Sequence, residues 1–359
     1  MQDDPVLKYR ALSEMLRIFV IPDVKSRVAA GSIASSSLPI QIKQVRSIHS
    51  DSRNYVELND EAQIVITAPA TRDIQKDEPI TLEDVNPDEC YLEPPMVNGQ
   101  PAAYFLCQFI FLDFFMSFNF LPNFPGVTDD ELAKHNRYPL AALVQARDLL
   151  KKIQPIVILK QLAQHNWPPA LGYYPHVLIH VHNNPSSISD SSFGDVVALT
   201  YNKDYWNKRL AFWKETKFFP DRLQYVNKAI DEYFEGDFIS TIYVIVPQIE
   251  GIIKAYLTTA GVTPDRNFVT QLKNVVLSRE ILMFPRDVLD IIFGFIETGP
   301  LWWHTSLISD PGQEVNRHGI AHGLFTGFET RDMALKYLIL LDALALVLLH
   351  DKMLTGKLF

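Results

Sequence analysis

Cysteine is almost absent from this chain, since only Cys90 and Cys107 occur among its 359 residues. Two cysteines so far apart do not form the CxxC pairs of a zinc cluster, nor the dense framework of a disulfide-stabilised secreted domain. The chain also lacks the basic start and apolar run of a secretory signal, because Met1 is soon followed by acidic residues. These absences predict a cytoplasmic protein.

Basic residues are outnumbered by acidic ones, and the formal net charge of −9 argues against a protein that coats nucleic acid over its whole surface. The balance reverses between residues 201 and 228, where seven Lys and Arg oppose three Asp and Glu among many aromatic residues. One interpretation is an RNA-binding surface that contacts phosphates and stacks bases. Its basic residues would be Lys208, Arg209, Lys214 and Lys217. The other interpretation is an amphipathic helix that buries its aromatic side chains.

Two apolar runs are long enough to raise the question of a membrane. Residues 101–121 are rich in aromatics but contain Asp113 near the centre, which is costly in lipid, so a buried helix is favoured over a membrane anchor. Residues 331–353 are apolar almost all round, apart from Lys336 and Asp342. They predict a helix buried in a bundle or in a dimer interface. We expect no membrane partner.

The spacing of apolar residues predicts two parts. Residues 1–205 form an α+β region of one or two subdomains, with helical spacing near the start and strand-like segments from 41 to 96. Residues 206–359 form an all-α bundle. Asp221 and Asp237 are suitable helix N-caps, and Gly261 suits the position after a helix end. The expected helices span 205–217, 221–235, 237–260, 268–283, 286–297, 316–328 and 331–353.

Three histidines alternate in the segment from 175 to 182. The segment is predicted to be a strand, which would place His176, His180 and His182 on one face. Three imidazoles on one face suit a metal ion. The alternative is a solvated strand face that binds nothing.

The densest group of chemically capable residues runs from Asn316 to Gly323. Asn316 can cap a helix beginning at Arg317, whose guanidinium suits phosphate. His318 and His322 are four residues apart, so they share one face of that helix and can exchange protons near neutral pH. The same spacing suits a helical zinc pair, with His304 or His350 as a third ligand.

A carboxylate on the central predicted helix is the second element of this hypothesis. Glu250 falls on the apolar stripe formed by Ile239, Ile242, Tyr243, Val246, Ile249, Ile253 and Tyr256. A carboxylate facing a core requires a partner. The candidates are Arg317, across the bundle, and Lys254, one turn further along the same helix.

Arg317-His318-Gly319-Ile320-Ala321-His322 resembles the Arg-x4–6-His motif of the HEPN superfamily. The flanking helices, with Ile249-Glu250-Gly251 before the motif and Tyr337 to Asp342 after it, resemble that superfamily too. The resemblance covers residues 206–359. It implies a HEPN-like bundle, a homodimer, and a metal-independent endoribonuclease, often a toxin or an antiviral defence effector, with no cofactor.

The resemblance also implies roles for individual residues. Arg317 would bind the scissile phosphate, and His322 would act as general acid or base when the ribose 2′-OH attacks. His318 would orient the phosphate or His322, and Glu250 would hold Arg317. The partners would be RNA and an antitoxin or regulatory partner bound through residues 1–205. The alternative is a noncatalytic helical dimerisation module in which Arg317 pairs with Glu250 or Asp342.

Overall fold

The structure is a computed structural model, and it describes part of the chain. The described residues are 21–31, 44–47, 66–67, 69–75, 84–86, 89, 91–92, 96–97, 100–101, 104–109, 114–119, 153–170, 175–279, 282, 284, 286–299, 320 and 327–354.

The chain divides into two compact units. Helix α1 (Ile21–Ala29) and all of the described strands belong to one unit, and the residues from Pro155 onward belong to the other. The helical unit therefore begins N-terminal to Trp206, which the sequence suggested as its first residue. Pro155 is itself the first residue of a helix, and residues 153–154 are not helical. Proline is tolerated at a helix start because its missing N–H would have no partner there.

Within the described residues the first unit contains seven short strands. They are β1 (Gln44–Ser47), β2 (Ile66–Thr67), β3 (Tyr91–Leu92), β4 (Met96–Val97), β5 (Gln100–Pro101), β6 (Tyr104–Phe109) and β7 (Phe114–Asn119). Strands β1, β6 and β7 form an antiparallel sheet in the order β1-β6-β7. Strands β2 and β3 form one antiparallel pair, and β4 and β5 form another. Helix α1 has the internal ion pair Arg27–Asp23, at 2.8 Å. The α+β class of residues 1–205 as a whole stays a prediction.

The prediction of a buried helix over residues 101–121 is wrong. The two described segments in this range, β6 and β7, pair with Tyr104 opposite Asn119 and Phe109 opposite Phe114. Aromatic side chains favour strands, and periodicity alone does not separate a continuous apolar strand from a buried helix. Asp113 comes directly before β7 in the sequence instead of interrupting a helix.

The prediction of a helical C-terminal region is confirmed. Within the described residues the second unit contains nine α-helices. They are α2 (Pro155–Gln164), α3 (Pro175–Asn183), α4 (Phe193–Thr200), α5 (Lys203–Glu215), α6 (Leu223–Glu235), α7 (Phe238–Thr259), α8 (Phe268–Leu277), α9 (Arg286–Thr298) and α10 (Arg331–Leu354). Helix α7 packs against α6, α8 and α10, so it lies at the centre of the unit.

Two of the three predicted helix boundaries based on capping are confirmed. Asp237 caps α7 by accepting a hydrogen bond from the Ser240 N–H at 2.9 Å, and Gly261 follows the helix with φ +82°. Asp221 is not the cap of α6. It lies inside a 3-10 turn, Pro220–Arg222, and α6 begins after that turn at Leu223. The preceding proline starts this turn because its φ is already fixed in the helical range.

Helix α10 forms the apolar centre of the helical unit. Its side chains from residues 337 to 351 are all buried, which confirms the expectation of a buried final helix. Among the described residues, α7 and α10 are long and apolar enough to cross a membrane by length and composition alone. The apolar window of α10 is 94% buried within the chain, as expected for a core helix, whereas that of α7 is 39% buried.

Two buried carboxylates attach α10 to its neighbours. Asp342 accepts a hydrogen bond from the Tyr205 hydroxyl and pairs with Arg209 at 3.1 Å, both on α5. Asp351 accepts from the Tyr256 hydroxyl on α7 and from Arg279, whose Nε and Nη2 lie 2.9 and 3.0 Å away. A buried carboxylate is tolerated only when such partners satisfy it, so each cluster fixes the rotation of α10.

Candidate functional site

The central helix α7 carries the one supporting residue of the predicted site that the structure describes. The hydroxyl and the N–H of Ser240 both donate to Asp237, and these hydrogen bonds hold the pKa of that carboxyl below its ordinary value. Pro247 lies inside the helix, just before the segment that holds Glu250. The capped start and the buried face fix how α7 presents its later residues.

The predicted apolar stripe of α7 is partly wrong. Ile242, Val246 and Ile249 are buried, but Ile239 is 48% exposed and Tyr243 is 43% exposed. The buried face includes Ile245 and Ile252 instead. Both faces fit helical spacing, and only the packing of neighbouring helices selects one of them.

Glu250 pairs with a lysine on its own helix. Its Oε1 lies 2.6 Å from Lys254 Nζ, and the Glu250 side chain is 17% exposed. Lys254 also stands 5.2 Å from the centroid of the Phe268 ring on α8. Of the two cations predicted for Glu250, Lys254 is confirmed as a partner, whereas pairing with Arg317 stays a prediction.

The residues of the motif lie outside the described part of the chain. This holds for Asn316, Arg317, His318 and His322. Ile320, inside the motif, is described: it is helical and 3% exposed.

The residues that follow the motif are described from Gly327 onward. Gly327 has φ +83° and is not helical, so the helix expected over 316–328 does not include Gly327. Phe328 is buried, and its ring lies 6.2 Å from that of Tyr243 on α7. The segment after the motif therefore packs on the central helix.

The aromatic and basic segment is an amphipathic helix followed by a turn. Most of its large aromatic side chains are buried, including Tyr205, Trp206, Phe212, Trp213 and Phe218, whereas Tyr225 is 49% exposed. Base stacking needs exposed rings, so this segment does not offer the expected row of stacking platforms. Lys214 and Lys217 are exposed and remain candidates for phosphate contact.

Two of the four predicted nucleic-acid contacts are held by carboxylates of the same chain. Arg209 has a side chain only 12% exposed and pairs with buried Asp342, so its assignment to an RNA-binding surface is wrong. Lys208 is exposed and pairs with Asp204 at 2.7 Å, one turn away. An exposed pair of this kind contributes little to stability and exchanges readily for a phosphate.

The predicted strand with three histidines on one face is wrong. Residues Pro175–Asn183 form helix α3, in which successive side chains turn by about 100°. His180 and His182 therefore diverge: His182 is exposed, and His180 packs 6.3 Å from the Phe193 ring. Among the described residues no group of three or more His, Cys, Asp or Glu side chains could hold a metal ion.

His350, considered as a third zinc ligand, lies in the core of the helical unit. Its side chain is 1% exposed, and its Nδ1 lies 2.8 Å from the Leu346 carbonyl. A carbonyl only accepts, so Nδ1 carries the proton of this hydrogen bond. The Phe284 ring packs edge-on against the imidazole. These surroundings are those of a packed core histidine.

A cavity that the sequence did not reveal lies at the start of α10. Its volume is about 760 Å³, within the range of small-molecule sites. Arg331 lines it and pairs with Asp195 at 2.6 Å and with Asp332 at 2.9 Å. Lys336 lies over the Trp167 ring, 4.8 Å from its centroid.

His165, at this cavity, is held by a hydrogen bond within its own helix. Its Nδ1 lies 2.9 Å from the Gln161 carbonyl, which only accepts, so Nδ1 is the donor. In the sequence, only Thr330 gives a local indication of this part of the fold, because it is a suitable N-cap for α10. Its hydroxyl accepts a hydrogen bond from the Met333 N–H at 3.2 Å. Nothing in the sequence links it to His165, because they are far apart along the chain.

Comparisons with protein-family models, with curated proteins and with solved structures find no match to this chain. The resemblance to the HEPN superfamily therefore rests on the residues of the motif and on the helices around it.

Proposed function

We propose that residues 206–359 cut RNA without a metal ion, through Arg317 and His322 acting in a HEPN-like helical bundle. Arg317 would bind a non-bridging oxygen of the scissile phosphate. His322 would take the proton of the ribose 2′-OH as that oxygen attacks phosphorus. The bond from phosphorus to the 5′-oxygen breaks, the leaving oxygen takes a proton from the His322 imidazolium or from water, and the products are a 2′,3′-cyclic phosphate and a 5′-hydroxyl end. His318 would orient the phosphate or the imidazole of His322.

The observation that supports this proposal is the setting of the motif. Ile320, two residues before His322, is helical and buried in a unit made of helices. The apolar helix α10 follows the motif and is buried in the same unit. A buried helix after the motif is what the resemblance to the HEPN superfamily implies. A helix anchored on one side by a buried isoleucine can hold its polar side chains in a fixed geometry, which proton transfer needs.

The test is cleavage of labelled single-stranded RNA in the presence of EDTA. We expect the wild-type chain to cut, and Arg317→Ala and His322→Ala to lose about a hundredfold or more in rate, the usual contribution of a general acid or of a preorganised cation. An RNA with a single 2′-deoxy nucleotide at the cut site should resist. Cleavage that EDTA abolishes would instead favour the alternative zinc pair of His318 and His322.

Glu250 and Lys254 provide matched control variants for this assay. Glu250→Gln and Lys254→Met each remove one side of the observed ion pair. If Glu250 also holds Arg317, Glu250→Gln should lower the cleavage rate more than Lys254→Met does. If both variants change the cleavage rate equally, Glu250 acts through its ion pair with Lys254 and does not hold Arg317.

A second candidate function is a noncatalytic dimerisation module. The observation that favours it is the exposure of Ile239 and Tyr243, which lie one turn apart on α7. Helix α10 is not available for this role, because it is buried within its own chain. We expect Ile239→Lys to weaken dimerisation in analytical ultracentrifugation if this surface is the interface. A dimer unaffected by this variant, together with RNA cleavage, would exclude the module.

The first 205 residues would regulate the nuclease as an α+β region, through an antitoxin or another regulatory partner. A toxin or an antiviral effector must be held inactive until it is needed, and residues 1–205 could provide this inhibition. Growth arrest on expression of the wild type, but not of His322→Ala, would support this assignment. Equal growth with both chains would count against it.

A further inference from the structure

A second cavity lies against α7, and its lining includes aromatic and basic side chains. The cavity, of about 210 Å³, is enclosed by the turn at residues 218–222, by one face of α7 and by the end of α10. Arg222 and Lys352 bring two cations to it from different elements, and Asp221 brings one carboxylate. Asp221 is exposed, so water and salt screen its charge.

The guanidinium of Arg222 rests against the central helix at a glycine. A Cβ on Gly251 would collide with the Arg222 guanidinium where it now lies, so the flexible end of the Arg222 side chain would have to move. Glycine in the middle of a helix costs stability relative to alanine. Gly251 therefore lowers the helix propensity of α7 at the position where the Arg222 guanidinium lies.

Arg222 has donors that the protein leaves for a ligand. Its Nη1 donates to Gln248 Oε1 at 3.0 Å, which is a neutral acceptor. Among the described residues no carboxylate forms an ion pair with Arg222. A guanidinium has five N–H donors, so a fork that suits an oxyanion remains.

Lys352 supplies the second cation from α10. Its ammonium lies 5.0 Å from the centroid of the Phe218 ring, and the side chain is half-buried. Burial lowers the pKa of Lys352 below its ordinary value.

The turn that closes the cavity is held in a conformation that side chains rarely adopt. Lys217 and Phe219 have φ values of +50° and +40°, in the left-handed region. A bulky residue there costs on the order of 1–3 kcal/mol and persists only when its surroundings hold it. Phe219 is held by ring contacts with Trp213 and Phe218, at 5.3 and 4.6 Å between centroids.

We propose that this cavity binds a phosphate monoester carried by a nucleoside, with the phosphate between Arg222 and Lys352 and the attached sugar at Phe219, whose ring is only partly buried. The charge of a phosphate monoester is close to −2 at neutral pH, which two cations balance better than they balance a carboxylate. The volume admits a phosphate and a pentose, so the base lies at the mouth. A mononucleotide and the 5′-phosphorylated end of an RNA share this chemistry.

The experiment measures binding to the full-length chain by isothermal titration calorimetry. The probes are AMP, adenosine, inorganic phosphate and a short oligoribonucleotide with and without a 5′-phosphate. We expect AMP to bind, adenosine to bind at least about tenfold more weakly, and Arg222→Gln and Lys352→Met each to weaken AMP by about tenfold or more. Tighter binding of the phosphorylated oligonucleotide than of AMP would identify an RNA end as the ligand. Tighter binding of AMP would identify a free nucleotide.

The controls separate binding from folding and from cleavage. Lys160→Met removes an exposed cation on α2, outside the cavity, and should bind AMP as the wild type does. Gly251→Ala, which displaces the guanidinium without removing a charge, should weaken AMP while leaving the circular dichroism spectrum unchanged. Arg222→Lys replaces Arg222→Gln if the latter fails to fold. Equal affinity for AMP and adenosine, no binding of either, or unchanged affinity in both cation variants would overturn the proposal.

Discussion

Removal of the Asp351 carboxylate tests how the final helix is held. Asp351 is 4% exposed and lies near the end of α10. It accepts two hydrogen bonds from Arg279 and one from the Tyr256 hydroxyl. Burial is the largest cause that raises the pKa of Tyr256 above its ordinary value, followed by the Asp351 charge and its hydrogen bond. The perturbation is Asp351→Ala, compared with Asp351→Asn.

The expected cost follows from what each substitution leaves behind. Breaking a buried ion pair costs about 3–5 kcal/mol when the remaining charge stays buried. The Arg279 side chain is 30% exposed, so it can recover part of its hydration, which places the estimate for Asp351→Ala at the lower end, about 3 kcal/mol. Asparagine keeps an acceptor for the Tyr256 hydroxyl, and so Asp351→Asn should cost about half as much.

The assay is urea unfolding followed by tryptophan fluorescence. With a slope of about 2 kcal/mol per molar urea, a loss of about 3 kcal/mol moves the midpoint down by about 1.5 M. The control is Asp204→Asn, which breaks the exposed Lys208–Asp204 pair and should cost about 0.5 kcal/mol or less. A midpoint for Asp351→Ala within the range of this control would refute the reasoning that the buried cluster holds α10.

Three further predictions concern single residues of the helical unit. In an Arg222→Ala background, Gly251→Ala should stabilise the fold by about 1 kcal/mol, whereas with Arg222 present the Cβ collision should cancel that gain, as a double-mutant cycle of urea midpoints will show. The pKa of Asp237 is lowered by its hydrogen bonds to Ser240, so its contribution is present above the ordinary carboxyl pKa and is lost as pH falls through the folded value; the stability deficit of Asp237→Ala should therefore shrink in acid, and a constant deficit would contradict this. Burial raises the pKa of Tyr337, so this phenol favours folding below its ordinary pKa of about 10 and the native state loses stability as pH rises above it; in an alkaline absorbance titration the Tyr337→Phe variant should lack one of the phenols that ionise only on unfolding, and an unchanged late-titrating amplitude would refute the assignment.

Helices of the second unit could be predicted because two independent signals agree there. Helix α6 buries Val226, Ala229, Ile230 and Tyr233, which recur at helical spacing. Helix α7 combines such spacing with the Asp237 cap and with Gly261 after its end. The spacing of apolar residues and the residues at the helix ends are both local features of the sequence, so no knowledge of the tertiary structure was needed. The Tyr–Asp–Arg clusters on α10 were not predicted, because each joins residues far apart along the chain.

Helix α3 shows how a local pattern can mislead. Its alternating histidines with valine and isoleucine between them imitate a strand, and these β-branched residues favour that interpretation. The stronger signal was Pro175, which stands at the first position of the helix. The error matters for function, because a strand would have put three imidazoles on one face, whereas helical spacing places His182 on a different face from His180.

The candidate site could be predicted as a motif but not as a geometry. Glu250 was correctly given Lys254 as one of two partners, since helix spacing brings them together. Arg209 was assigned to RNA from its sign and its aromatic neighbours, although its partner, Asp342, lies on α10 and was invisible from the sequence around it. The sequence around a residue identifies it as a cation, but only the tertiary structure shows which carboxylate forms an ion pair with it.

The two proposals share α7 but use neighbouring residues of it for different purposes. Glu250 would support Arg317 in the nuclease, whereas Gly251 gives room to Arg222 at the smaller cavity. Successive residues of a helix point about 100° apart, so the two positions serve different neighbours. His322→Ala should therefore abolish cleavage while AMP binding persists, and Lys352→Met should do the reverse. If cleavage depended on Lys352 as strongly as on His322, the cavity would have to be part of the cleavage site, and the separation of the two sites along α7 would be wrong.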